Sequence, residues 1–225
     1  MIRSRSNSGE GCIAVMQPYF FPYAGYFRLF AYCERVVLFD CVQFTRRSWI
    51  SRNKFRKDLI GNLEWLNMPL NKSPRDSTIQ QMSFKENAMF DLEGFMIDKR
   101  LSDRNKEFLF DISIDPCDLL ERQIKWVLEI LEIECDVIRS NSLRVDEDIR
   151  GQNRVLEIAK RLDASCYVNL SGGVDLYEPE RFAKAGLNLK ILKPYSSSDS
   201  NILDRIVSEP KESIYNEILR EIAFL

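Results

Sequence analysis

Two short apolar runs, CIAVM at residues 12–16 and VVLFD at residues 36–40, flank a proline-interrupted loop and a stretch with helical spacing. Runs this short and this rich in β-branched residues suit buried strands. Between them, QPYFFPYAG places Pro18 and Pro22 where regular structure must stop. Phe27, Phe30 and Ala31 then recur at helical spacing. The result is strand, loop, helix, strand, the opening of a parallel α/β sheet. Ligands of such sheets bind beyond the carboxyl ends of the strands. Gln17 onward and the residues after Asp40 both belong to that edge.

The rest of the chain continues the pattern. A hairpin is expected around LIGN at residues 59–62, and STIQQMSF at residues 77–84 reads as a further strand. Residues 91–110 read as helical, and Asp118 to Leu131 as an amphipathic helix with Leu120, Ile124, Val127 and Leu131 on its apolar face. Strand ECDVIRSNSL, helix Asn153 to Leu162, strand SCYVNL, a turn at SGG, a short helix over 179–185 and strand LNLKILKPY follow in alternation. Residues 202–225 read as a helical tail. The expectation is one α/β domain over residues 12–225: a Rossmann-like, mostly parallel sheet flanked by helices, with a helical C-terminal segment. Residues 1–11 are expected to be a flexible tail.

The chain contains no histidine. That excludes Ser-His-Asp and Cys-His catalysis, histidine general bases and histidine metal sites together. Any catalysis must use carboxylates, Lys, Tyr, Cys, Arg or backbone dipoles. The formal net charge of −2 gives no global basic field for nucleic acid. The six cysteines are scattered without a zinc-like spacing, as in a reducing compartment. No apolar run is long enough to span a bilayer, and no secretory signal is evident, so a cytoplasmic location is expected. No cofactor and no metal are expected.

Three segments can carry chemistry. In the first, QPYFFPYAGY, the aromatics Tyr19, Phe20, Tyr23 and Tyr26 either close a hydrophobic corner over the sheet or wall a ligand ring, with Gln17 as a polar handle. In the second, FDCVQFTRRSWISRNKF, cations alternate with aromatics beside the ligand edge. Arg46, Arg47, Arg52 and Lys54 suit phosphate, because the planar guanidinium binds two oxygens at once. Trp49 offers a ring face, Gln43 and Asn53 orient polar groups, and Asp40 reads as a general base or as a structural ion pair. Cys41 lacks a histidine partner and reads as a packed thiol. In the third, NLSGGVDLY, Gly172 and Gly173 either cradle a phosphate on exposed N–H groups or form a plain turn, with Tyr177 just beyond.

These segments, in order and spacing, resemble the WbqC-like protein family. MQPYFFPYAGYF matches its opening QPYFFPYxGYF motif, DCVQF its DDVQF-like segment, WISRN its W-x-x-R-N element and GGVDLY its late GG-x-x-LY. The likeness runs roughly from Ile13 to Leu192. Two departures stand out: Cys41 replaces a second acid, and no Lys-Ala-Pro-like element occurs between Ser83 and Phe110. The opening also resembles the nucleotidylyl-transferase type of Rossmann-like fold, without that motif's histidines. The family likeness implies a role near bacterial O-antigen or related glycan assembly, and an enzyme transferring an acyl or aminoacyl group to an amino sugar on a nucleotide. Its partners would be a nucleotide sugar and an acyl or aminoacyl donor. Asp40 would then accept the amine proton. Two alternatives stand beside it: a non-catalytic nucleotide or nucleotide-sugar binding protein, and an aminoacyl-tRNA-dependent transferase.

Overall fold

A computed structural model describes residues 11–225. The tail expected over residues 1–11 lies outside the described residues except for Gly11, whose N–H donates to Glu34 at 3.0 Å.

The chain opens on β1 (Cys12–Met16), passes through the proline loop and a 3-10 turn over Ala24–Phe27 into α1 (Arg28–Tyr32), and returns as β2 (Arg35–Leu38). An antiparallel hairpin of β3 (Arg52–Arg56) and β4 (Leu63–Asn67) stands apart from the main sheet. Helices α2 (Met96–Arg100), α3 (Asp103–Leu109) and α4 (Pro116–Ile130) lead to β5 (Asp136–Arg139). Then α5 (Gly151–Arg161), β6 (Cys166–Asn169), α6 (Pro179–Lys184) and β7 (Asn188–Ile191) alternate, and α7 (Ile202–Ile206) and α8 (Lys211–Arg220) close the chain.

The main sheet has the order β5-β2-β1-β6-β7, and every pairing is parallel. The chain builds outward from β1 through β2 and β5, then crosses to the other side of β1 for β6 and β7. The reversal lies between β1 and β6, where a doubly wound sheet opens its crevice.

Strand alternation divides the core. Cys12, Ala14, Val36, Leu38 and Val168 face the layer of α1, α4, α8 and the hairpin, which holds most of the phenylalanines. Ile13, Val15, Val37 and Tyr167 face the smaller layer of α5 and α6, with Val155, Ile158 and Phe182. Both faces of β1 are covered, which explains its unbroken apolar sequence.

Three local expectations are corrected. STIQQMSF forms no strand: Thr78 and Gln81 cap a 3-10 turn over Ile79–Gln81, with Thr78 N–H donating to Gln81 Oε1 at 2.8 Å. The N–H groups of Ile79 and Gln80 instead donate to the carbonyls of Val42 and Asp40 at 2.9 Å each, tying this turn under the segment after β2. The helical stretch over 91–110 is two helices, because Leu101 is extended and buried and Ser102 caps a new start by accepting from Asn105 N–H at 3.3 Å. The tail is likewise two helices, separated at Pro210, which cannot donate within a helix. Among the described residues no helix is long and apolar enough to cross a membrane.

Candidate functional site

Asp40 follows β2 and is fully buried at 0% exposure. One carboxylate oxygen accepts from Ser140 Oγ at 2.7 Å and from Asn141 N–H at 3.1 Å. The other accepts from Arg139 Nε at 2.8 Å. Arg139 also pairs with Asp118 on α4. A buried carboxylate survives only when paired and hydrogen-bonded, and here three donors supply that need. Asp40 therefore clamps the ends of β2 and β5 and the start of α4 together. Of the two readings of Asp40, the geometry carries the structural ion pair; direct acceptance of a substrate proton meets the obstacle that Asp40 does not reach the surface. Cys41 is half-buried, with Sγ 3.0 Å from Ser140 Oγ. Cys117 beneath it is an inert thiol, pushed up to about 12 by burial.

The QPYFFPYAGY loop answers to both of its readings, residue by residue. Phe20 is fully buried, stacked on Phe90 with centroids 5.7 Å apart and packed against Phe55 and Phe110. Tyr26 is also fully buried, and its hydroxyl donates to the Gln17 carbonyl at 2.8 Å. Burial pushes the Tyr26 phenol well above its usual range. As ligand walls these two are corrected: they are core. Tyr19, Tyr23 and the Gln17 side chain are half-buried and do reach the surface. Burial raises both the Tyr19 and the Tyr23 phenol, so both stay neutral at physiological pH. Phe21 is left-handed at φ 44°, a strained state for a bulky residue. Asn53 holds it there, donating through Nδ2 to the carbonyls of Phe20 at 3.0 Å and Phe21 at 2.8 Å. Asn53 is itself buried, so it shapes the loop rather than touching a ligand.

The hairpin shows a different character. Its alternation turns Asn53 and Phe55 inward and leaves Lys54 exposed and Arg52 half-exposed. Lys54 pairs in register with Trp65 of β4. The Arg52 guanidinium lies 4.0 Å from the centre of the Trp65 ring, and Lys54 Nζ 5.4 Å from it. Trp49, 48% exposed, meets Trp65 at 5.4 Å between centroids. Among the described residues no carboxylate lies within 4.0 Å of Arg46, Arg47, Arg52 or Lys54. Arg52 Nε and Ser48 Oγ are buried without a hydrogen-bond partner. Such orphaned groups are few in folded proteins, and Thr78 Oγ1, Gln123 Oε1, Arg154 Nε and Asp204 Oδ1 share that state elsewhere among the described residues. Arg46 donates to the Ser73 carbonyl, and Gln43 Nε2 to the Arg75 carbonyl at 2.7 Å. This face adjoins the loop after β1, because the Trp49 carbonyl accepts from Phe20 N–H at 2.9 Å.

The glycine pair lies past β6, on the carboxyl edge of the sheet. A 3-10 turn over Ser171–Leu176 replaces the expected plain turn. Gly172 is exposed, with open space where a Cβ would stand. Gly173 is buried, and a Cβ there would stand 2.3 Å from Asn169 Nδ2, so a side chain would have to displace that amide. Tyr177 belongs to the smaller core layer: its hydroxyl meets that of Tyr167 at 2.8 Å and its ring packs on Phe182. It is turned toward α6, away from the layer that carries the hairpin.

Gln17, Asp40, Ser140 and Gly172 thus share the carboxyl edge of one sheet, with Trp49, Arg52 and Lys54 on the hairpin beside it. Sequence reasoning missed Trp65 and Arg139. Trp65 was legible in principle, since the LIGN hairpin register places it opposite Lys54. Arg139 was not, because its partners come from residues 40 and 118. Two surface grooves, about 440 and 530 Å³, lie elsewhere, beside Phe108 and Trp126 and along α5; neither includes a residue of the basic aromatic face. Among the described residues no three His, Cys, Asp or Glu side chains cluster closely enough for a metal ion.

Comparison with known proteins matches residues 17–93 and 100–200 to the WbqC-like protein family. A stretch of 58 residues, 26% of this chain, is 31% identical to Rv1507c, an uncharacterized protein of Mycobacterium tuberculosis, and covers 24% of that protein. The matched stretch therefore spans about a quarter of that relative's length. No solved structure matches.

Proposed function

The chain belongs to the WbqC-like protein family, and from that premise we propose that it is a transferase, passing an acyl or aminoacyl group to the amino group of an amino sugar carried on a nucleotide. The observation that carries this reading is the set of cations on the hairpin face. Arg52 and Lys54 on β3 flank the Trp65 ring with no carboxylate partner among the described residues, and Arg46 and Arg47, equally without one, lie in the segment that leads into the hairpin. Cations left unneutralised beside ring faces suit a diphosphate attached to a base. Trp49 takes the base and the guanidinium groups take the phosphates.

The sugar then extends toward the edge of the sheet, past Gln17, Tyr19, Tyr23 and Gln43 on one side and Gly172 on the other. The amine nitrogen attacks the acyl carbonyl. The new amide C–N bond forms, the bond from the acyl carbon to the donor's sulfur or oxygen breaks, and the amine proton leaves on that departing group. A free amine needs little activation, so positioning supplies most of the rate. Asp40 acts as a positioning residue, fixing Ser140 and the strand ends, and Gln43 orients the amine through its free carbonyl oxygen.

A second reading, a nucleotide-sugar binding protein without turnover, is favoured by one observation: Asp40, the carboxylate that follows β2 on this edge, is buried and ion-paired. Thermal unfolding against nucleoside diphosphate sugars, plain nucleotides, ATP and acyl-CoAs tests the proposal, because a ligand of the folded state raises the melting temperature. The expected result is a rise with nucleoside diphosphate sugars, reduced in Arg52→Ala, and amide product when an acyl donor is added. No rise with any of them overturns the reading, and a rise without product selects the binding protein.

A further inference from the structure

The far end of the hairpin carries a feature that phosphate binding does not use. Leu59 and Ile60 sit at its apex, 82% and 91% exposed, and Leu63 beside them is 52% exposed. Isolated exposed aliphatics are ordinary, but adjacent ones at the apex of a projecting loop are not.

The apex is a built loop. Asp58 Oδ1 accepts from Gly61 N–H at 2.9 Å and Asn62 N–H at 3.0 Å, and Oδ2 accepts from Asn62 Nδ2 at 2.6 Å. Lys57 N–H donates to the Asn62 carbonyl at 2.9 Å, and Gly61 takes φ +102°, which a side chain would resist. The bonds that fix this loop hold Leu59 and Ile60 outward. They also engage the carboxylate of Asp58, which keeps its charge, and Lys57 pairs with Glu64 at 3.1 Å, so of the two acids of the region Glu64 is ion-paired within it.

Below the apex the outward face is ordered by depth. The register sets Leu63 against Arg56, then Trp65 against Lys54, then Asn67 against Arg52. Residues 46–67 contain six cations against the two acids Asp58 and Glu64, in a chain whose net charge is −2. Aliphatics at the tip, an aromatic belt behind and cations beside it match the depth profile of a lipid interface: acyl chains, headgroup boundary, phosphates.

We propose that the hairpin tip is an interfacial anchor, with Leu59, Ile60 and Leu63 entering an anionic lipid bilayer while Arg56, paired in register with Leu63, meets its phosphates. This goes beyond the transferase reading and does not depend on it. Basic side chains and a few aliphatics together give reversible attachment, neither alone being enough.

The test is co-sedimentation of the full chain with vesicles of equal parts phosphatidylcholine and phosphatidylglycerol, and with pure phosphatidylcholine vesicles. The account expects binding to the anionic vesicles and at least about tenfold weaker binding to the neutral ones. L59S/I60S should weaken anionic-vesicle binding by about tenfold or more. Arg56→Gln should weaken it about fivefold at low salt and less at high salt. Because Leu59 and Ile60 touch little of the fold, the double variant should keep the wild-type melting temperature and its response to nucleoside diphosphate sugars, which separates failure of the anchor from failure of the ligand site. No binding to anionic vesicles, or equal binding by L59S/I60S, overturns the proposal. So does a dimer in solution that L59S/I60S abolishes without any vesicle binding, since the tip would then cover a second copy of this chain.

Discussion

Two aromatic-rich segments of this molecule lie side by side and do opposite things. In the loop of residues 17–26, Phe20, Phe21 and Tyr26 are buried, and their rings pack on other rings. On the hairpin face, Trp49 and Trp65 are accompanied by cations and remain open to solvent. Ring content alone does not separate them. What separates them is where each ring's free energy comes from: apolar burial in the first, and ring–ring and cation–ring contact at a partly exposed surface in the second. A segment can thus carry a family's most recognisable motif and still lie largely in the core. Asn53 is the joint between the two, since it sits in β3 and binds the carbonyls of the loop.

The comparison breaks most sharply at Phe20. Phe20→Ala should cost about 3–5 kcal/mol of stability, read from urea unfolding, because the ring is buried on all sides. A cost below about 1 kcal/mol would remove the loop from the core. Next is Asp40→Asn, expected to cost on the order of 2–3 kcal/mol by weakening a buried ion pair, the loss being tempered because Arg139 keeps Asp118. Asn53→Ala should cost about 1–3 kcal/mol, since two carbonyls lose their donor and Phe21 loses its restraint. By contrast Trp49→Ala should cost less than about 1 kcal/mol and instead weaken ligand binding severalfold, measured by calorimetry.

The smallest effect is a pH dependence where α7 holds the inner side of the hairpin. Asp204 accepts from Arg56 N–H at 2.8 Å, and burial raises its carboxyl above the ordinary range. The folded state therefore holds this proton more tightly than the unfolded state. The stability it contributes is complete below the ordinary carboxylate pKa of about 4 and is lost as pH rises through the raised value. Asp204→Asn should flatten that part of the stability profile, and an unchanged slope above pH 4 would count against the assignment.

Much of the fold was legible in the sequence because strands and amphipathic helices carry periods. CIAVM is apolar throughout and SCYVNL carries buried Cys166, Tyr167 and Val168 in succession, since both faces of their strands are covered, and α4 shows its buried stripe openly. STIQQMSF misled because its alternation is that of a strand while a side-chain cap at Thr78 and Gln81 bends it into a turn. The site was legible only where a period existed. Arg52 and Lys54 could be turned outward from Asn53 and Phe55 by strand alternation. Tyr19 and Phe20 could not be told apart, because a proline-bounded loop has no repeat that separates inside from outside. The cage around Asp40 was hidden for another reason: its donors lie about a hundred residues away, at Arg139, Ser140 and Asn141.

The central claim is that the hairpin face, and not the buried rings of the motif loop, holds the phosphates of the ligand. Calorimetric titration of a nucleoside diphosphate sugar into wild type, the Trp49→Ala/Arg52→Ala double variant and Tyr26→Phe tests it most directly. The account predicts binding that the double variant loses while its melting temperature stays near that of wild type, and that Tyr26→Phe retains. Undiminished binding by the double variant, or loss only in Tyr26→Phe, would contradict it.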